Sequence, residues 1–425
     1  MTEEFLYHIW KYKLFNLNNL KTTFGESIRI QSVGRRNNES GPDFIDAQIQ
    51  IDNVLWIGLV EIHVNASDWW KHKHQLDPIY QKVILHVVWN YDKDVFDCNE
   101  NKIPVLELKG RVSKSLVSTF YKKGNPVDSF VCSGLTHYLN DFETQNWLSR
   151  LLVDRLEKKV KIIEQVYQHF KGDWSQTFYN MLLKNLGFKV NALPMQLMGQ
   201  NVPFRILLKS SDHLERLEAI LLGCGGFLEG KMEDEYAYQL QKEFKHQQHK
   251  YELVILDKSL WKLGKVRPGN FPQIRLSQLA RIIHDYGDLF QKFIRDFKID
   301  MDLNELNVKA TDYWDTHYTF GEVSSRKEKR LGRNSVQNIL INTVAPMLFF
   351  YGKEMGAHFY QELSIDLLER LPGENNSIIK AWEENNIFAK QASIGQALIE
   401  LTHTYCDRKK CLECGIGIQI LRRGV

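Results

Sequence analysis

Proline (10) and cysteine (6) are both scarce in this chain of 425 residues. So little proline, beside 26 glycines and recurring hydrophobic patterns, excludes collagen-like and disordered classes. So few cysteines exclude a disulfide scaffold. No run approaches the roughly 18 apolar residues needed to cross a bilayer. The longest candidate, Val344 to Tyr351, is short and contains Pro346. Neither sign of charge dominates: 55 basic against 52 acidic residues leave +3. That balance does not argue for a nucleic-acid coat, although local clusters can still hold phosphate. The opening Met1-Thr2-Glu3-Glu4 lacks the basic start and apolar core of a secretory signal, so a cytoplasmic location is expected.

What is present is an ordinary globular composition, 43% apolar and 25% charged. Length alone suggests two to four domains at roughly 150 residues each. The first third predicts a helix from Glu4 to about Leu20, then strands over Ser27–Val33, Asp43–Ile51, Val54–Val64, Lys82–Trp89 and Ile103–Lys109, rich in Val and Ile. Beyond about Asp141 the apolar spacing turns helical, as in Trp147–Phe170, Leu276–Phe297 and Val336–Phe350. The expected fold class is α+β, with a mixed-sheet domain over 1–125 followed by a large all-α region over 140–425.

The most informative stretch joins Gly41-Pro42-Asp43-Phe44 to Gly58-Leu59-Val60-Glu61-Ile62-His63. Glu61 and His63 are two apart on a strand and so share a sheet face. Antiparallel pairing of the two strands would bring Asp43 beside them. Register decides this. A two-residue turn at Asp52-Asn53 pairs odd with even positions and would put Asp43 and Glu61 on opposite faces; a shared face needs a longer loop, which the weak Asp-Asn turn signal leaves open. Two carboxylates on one partly buried face repel unless a cation lies between them. Hard oxygen donors suit Mg²⁺ or Mn²⁺, which can activate water and neutralise a phosphodiester.

These residues resemble the signature of PD-(D/E)XK nucleases, an Asp at one strand start followed about twenty residues later by Glu-x-Lys. Pro42-Asp43 and Glu61-Ile62-His63 carry the resemblance, with His63 in the usual Lys position. It implies a restriction-endonuclease-like domain and phosphodiester hydrolysis of DNA or RNA. Asp43 and Glu61 would hold the metal, His63 would position water or phosphate, and Glu4 (Glu3 as rival) would assist. Because a His is mostly neutral where Lys is cationic, an inactive nucleic-acid- or partner-binding fold and a Zn/Mn-dependent hydrolase of another substrate are the alternatives. The whole chain is also similar to an uncharacterised bacterial family sharing the Gly41–Phe44, Val60–His63, Trp69-Trp70-Lys71-His72-Lys73-His74 and closing-cysteine segments.

Three more histidines lie near His63 in sequence. His86 sits in an almost wholly apolar strand and needs a partner if buried. His72 and His74 diverge on a helix, so on that geometry one of them is expected to serve the site, whereas on an extended loop both could turn inward. Near the end of the chain, His403, Cys406, Cys411 and Cys414 have the donor types and spacing for Zn²⁺. A [4Fe–4S] cluster is the rival, with His403, Cys132 or Cys224 as fourth ligand. Two basic loops could meet a nucleic-acid backbone: Arg326, Lys327, Lys329, Arg330 and Arg333, and a second one around Lys265 and Arg267.

Overall fold

The protein is described from a computed structural model that covers residues 1–37, 41–114, 116–117, 130, 132–264, 266–299 and 306–423. The chain divides into two compact units. One comprises 1–147, 384–387 and 401–425, the other 148–383 and 388–400.

The first unit is built on a six-stranded mixed sheet: β1 (Ile28–Ser32), β2 (Arg35–Arg36), β3 (Phe44–Ile51), β4 (Val54–Asn65), β5 (Val83–Asn90) and β6 (Val105–Glu107). The order is β1-β3-β4-β5-β6, with β2 also on β3. The β1, β3 and β4 pairings are antiparallel, whereas β4, β5 and β6 run parallel. Alternating apolar residues give the sheet two buried faces. On one, helix α1 (Glu3–Lys11) packs Phe5, Leu6, Ile9 and Trp10 against Phe44, Ile49, Val60, Ile62, Leu85 and Val87. Thr2 caps α1 by accepting from the Phe5 amide, and Glu3 and Glu4 complement the positive end of its dipole. On the other face Trp69 and Tyr80 pack on Val83, Val88 and Val105.

The closing helix Gly415–Arg423 also belongs to this unit, its Leu421 buried in the α1 core. The helical region is therefore not one block over 140–425. Its last segment returns to the sheet, a long-range pairing that local periodicity does not carry.

The second unit is all-α. Its principal helices include Trp174–Leu186, Leu214–Cys224, Glu235–Tyr251, Pro272–Tyr286, Ala345–Glu354 and His358–Arg370. Two expected long helices are interrupted. The one expected over 276–297 stops at Gly287 (φ 65°), and a π-helical turn follows at Gln291–Arg295. The one expected over 336–350 contains a π-helical turn at Leu340–Val344, just before Pro346. Pro346 has no N–H to reach the carbonyl of Asn342. The Asn185 side chain donates to that oxygen instead, at 3.0 Å, and Lys159 Nζ donates to Ile341 O at 3.2 Å. Among the described residues no helix is long and apolar enough to cross a membrane.

Candidate metal centre

The turn between β3 and β4 is the tight one, with Ile51 opposite Val54 and Asp52 in the left-handed region (φ 48°). From there to Ala47↔Gly58, odd positions of β3 face even positions of β4. If that register continued, Asp43 would lie on the α1 face, away from Glu61. A β-bulge between Ala47 and Phe44 resets it: Phe44 pairs with Val60, so Asp43 comes level with Glu61. The extra residue is Asp46, held at φ 59° and ion-paired with Arg35 at 2.9 Å. The longer loop that a shared face would need is thus replaced by a bulge that performs the same parity change.

Gly34 makes room for it. At φ +83°, its position would put a Cβ 2.5 Å from Ile45 O and 3.0 Å from Ala47 N, the two residues that bracket Asp46. A side chain there would have to displace the backbone of the bulge.

Asp43 and Glu61 lock each other through the backbone. The Asp43 amide donates to Glu61 Oε2 at 3.1 Å, and the Ile62 amide donates to Asp43 Oδ2 at 2.9 Å. Arg36 Nη1 donates to Asp43 Oδ1 at 2.7 Å, and its guanidinium stacks 3.7 Å from the centre of the Tyr7 ring. Both Asp43 oxygens are therefore engaged, while Glu61 Oε1 faces the histidines.

Two imidazoles reach that oxygen, and a third joins them through His63. His63 Nε2 lies 3.6 Å and His74 Nε2 3.3 Å from Glu61 Oε1, and His63 Nε2 is 3.0 Å from His72 Nδ1. One ring nitrogen from each of His63, His72 and His74 lies within 4.8 Å of the other two. A tetrahedral site with metal–ligand bonds near 2.1 Å has ligand–ligand edges of about 3.4 Å, so these separations suit a single ion. His74 Nε2 is buried and makes no hydrogen bond. That orphaned nitrogen, aimed at a carboxylate oxygen without hydrogen-bond alignment, is what an absent ligand would satisfy.

His72 and His74 both reach the site because Lys73, between them, is left-handed (φ 60°). That residue ends the one-turn helix Asp68–Lys71 and turns the chain back. The expectation, on helix geometry, that only one of the pair would serve is corrected accordingly. His74 is stacked on Tyr80 with centroids 3.9 Å apart, and His72 is exposed at the mouth. His86, on β5 beside Glu61, is fully buried with Nε2 2.9 Å from His63 Nδ1. For His63 Nε2 to hold a cation, its proton must sit on Nδ1, where His86 Nε2 accepts it, an outer-shell partner for the ligand.

Electrostatics separate the acid from the imidazoles. Burial, and then the Asp43 carboxylate, push the Glu61 carboxyl up to about 9. Burial, and then His74 and His72, push His63 down to about 3. Burial alone heads the causes that hold His86 well below its ordinary value, His74 below it, and His8, elsewhere in the unit, at about 4. Glu3 is raised by burial and then by Asp43, which places it within reach of the site, whereas Glu4 is exposed. Of the two, Glu3 is the one turned toward Asp43, since adjacent helix residues point about 100° apart and the core-facing side of α1 swings Glu3 inwards.

These shifts predict a pH profile for the metal-free protein. His8, His63 and His86 stay neutral in the fold when the denatured chain protonates near 6.5. Their stabilisation is complete above that value and lost as pH falls below it. Glu61 acts oppositely, since a raised carboxyl gives stability that is full below about 4.5 and falls as pH rises towards 9. Among these groups the histidines outweigh Glu61 on the acid side and Glu61 acts alone on the alkaline side, so their joint contribution is greatest near pH 6–7. Thermal melts of the wild type against Glu61→Gln between pH 4 and 9 isolate the Glu61 part: the variant's advantage should grow as pH rises from 4.5. A difference that does not change with pH would contradict the assignment.

Elsewhere the expected residues fare differently. His403 is 57% exposed and pairs with Asp407 at 2.9 Å. The wider i→i+5 turn of the π-helical segment Thr402–Cys406 rotates it off the face of Cys406 that an α-helix would have shared. Lys329 is buried, donating to Asp315 O at 2.8 Å, so it is withdrawn from any surface contact. Arg326, Lys327, Arg333 and Arg267 are exposed. Arg330 is exposed but paired with Glu328. Lys265 lies outside the described residues. Arg36, Tyr7 and Glu3 complete the site. The sequence offered little signal for the first two, since an Arg in a short turn-rich segment and a Tyr on a helix are commonplace.

No curated protein and no solved structure matches the chain. One family profile, described as protein of unknown function (DUF2851), matches residues 3–377. With its sheet, its histidine cluster and most of its helical region inside that match, the chain belongs to the DUF2851 family.

Proposed function

We propose that this protein is a metal-dependent phosphodiesterase acting on DNA or RNA. The observation that carries the reading is the bulge-directed convergence of Asp43 and Glu61 with the cluster of His63, His72 and His74. Glu61 Oε1 and the imidazole nitrogens would hold one divalent ion. Nitrogen-rich donors favour Mn²⁺ or Zn²⁺ over the Mg²⁺ that two carboxylates alone would favour. Such an ion would supply a water activated near neutral pH and neutralise charge on a phosphodiester.

The remaining residues orient and charge the site. Asp43 fixes the Glu61 rotamer through the paired amide bonds and adds negative charge. Arg36, 31% exposed and held by Asp43 and Tyr7, offers the fixed cation that His63, neutral at its depressed value, does not supply. Exposed Arg267, Arg326, Lys327 and Arg333 are the proposed contacts to the nucleic-acid backbone, with Arg330 contributing when it leaves Glu328.

The test uses labelled single-stranded DNA, duplex DNA and RNA with Mn²⁺, Zn²⁺ or Mg²⁺. We expect cleavage with Mn²⁺ or Zn²⁺. Asp43→Ala or Glu61→Ala should lower it by roughly 100-fold or more, with nucleic-acid binding by fluorescence anisotropy retained. Metal-loaded protein that binds these substrates and cuts none would favour the second reading, a binding fold in which the neutral His63 has ended turnover. Tight metal without nucleic-acid affinity would favour a hydrolase of another substrate.

A further inference from the structure

We propose that Cys132, Cys406, Cys411 and Cys414 ligate a [4Fe–4S] cluster, which fastens the closing segment of the chain to the turn that follows the sheet. Cys132 lies far from the other three in sequence, but all four fall in the first compact unit. The segments that carry them pack against one another. The Asn140 amide donates to Gln419 Oε1 at 3.0 Å, and the short helical turn Thr136–Tyr138 lies against the closing helix Gly415–Arg423. None of the four is in a disulfide. Their charges act on one another: Cys132 is influenced by Cys411 and Cys414, and Cys406 by all three others.

The spacing separates the two metals that such a set could hold. Zinc bound to four sulfurs at about 2.3 Å requires them about 3.8 Å apart. Among the described residues, the donors gathered closely enough to hold one ion are those of the histidine trio, and these sulfurs do not form such a group. A four-iron cubane binds each thiolate through a different iron, so its ligands spread over a wider tetrahedron. His403, the alternative fourth donor, points away to Asp407.

Cys414 immediately precedes the closing helix; burial pushes its thiol up to about 11, and the amides of Ile416 and Gly417 at its sulfur oppose that rise. Two glycines permit that approach. A Cβ on Gly417 would lie 2.1 Å from Cys411 O, and one on Gly415 would lie 2.6 Å from the Trp147 ring. Ligation releases the four thiol protons to water and transfers no electron, with ferrous and ferric iron and sulfide as the components. The resulting anionic centre, of net charge about −2, lies within the segment that carries Arg408, Lys409 and Lys410.

The test is elemental and sulfide analysis of the full chain purified without oxygen, or reconstituted with iron and sulfide. About four irons and four sulfides per chain and a brown colour are expected. Cys132→Ser should retain less than half the iron, and His403→Ala should retain all of it. One zinc per chain without sulfide, no metal after reconstitution, or iron lost in His403→Ala would each overturn the proposal. So would a folded Cys132→Ser variant with its cluster intact. Should that variant not fold, the wild-type composition and His403→Ala decide.

Discussion

Glu61→Gln should bind Mn²⁺ or Zn²⁺ at least roughly 100-fold more weakly than the wild type, yet melt at a higher temperature when metal-free at pH 8. Outer-shell partners alone change metal affinity by about 10–100-fold, and Glu61 offers the oxygen around which His63 and His74 gather. The stability gain has a separate cause. At pH 8 the wild-type carboxyl remains protonated in the fold, at about 9, while the denatured chain has ionised above about 4.5. Each pH unit in that window costs the native state about 1.4 kcal/mol, which glutamine avoids at nearly unchanged shape. A rise of several degrees is expected, vanishing below about pH 4.5. Wild-type metal binding should release about one proton at pH 7–8, from Glu61 and not from His63, which is already neutral. Calorimetry in buffers of different ionisation enthalpy counts that proton. Equal metal affinities for Glu61→Gln and wild type would remove Glu61 from the centre.

Gly34→Val should cost about 2–3 kcal/mol of stability and most of the metal affinity together. Position 34 touches neither a carboxylate nor a histidine of the site. It abuts the Ile45 carbonyl and Ala47 amide at distances a Cβ cannot occupy, and its φ of +83° is strained for any branched residue. Relief requires the β3 bulge to move or to be lost, and loss of the bulge carries Asp43 to the opposite face of the sheet. Leu17→Ser, at an exposed position away from the bulge, is the control and should leave metal binding unchanged. Isothermal titration together with thermal melts of both variants checks this. A Gly34→Val protein of lower stability and normal affinity would show that register at Asp43 is not what makes the site.

Much of this was legible beforehand because strand alternation is local. The period-two pattern of Asp43–Ile51 and Val54–Val64 located β3 and β4 almost to the residue, and Glu61-x-His63 fixed one face. The bulge was not legible. Nothing in Phe44-Ile45-Asp46-Ala47 marks Asp46 as the left-handed residue, and the space for it comes from Gly34, which is remote in sequence. Parity arithmetic did register the conflict, since a two-residue turn was incompatible with a shared face; only the device that resolved it was missing. His74 is a similar case: the i, i+2 divergence holds only for helix geometry, and Lys73 departs from it. The helical region shows the converse. Its amphipathic stretches announced themselves, but the π-helical turns at Leu340–Val344 and Thr402–Cys406 depend on tertiary partners such as Asn185 and Lys159, or shift faces as at His403. The pairing of Cys132 with the closing cysteines rests on packing between segments at opposite ends of a long helical insertion, which no window of sequence contains.

The carboxylate of Glu61 and the imidazoles should share one cation. Pulsed electron paramagnetic resonance of Mn²⁺ added to the full chain tests this most directly, because manganese reports bound nitrogen and has little affinity for thiolates. One tightly bound Mn²⁺ per chain with imidazole-nitrogen coupling is expected, its signal lost in His63→Ala and Glu61→Gln and kept in His403→Ala. Manganese that remains fully hydrated, or binds without nitrogen coupling, would contradict the central claim.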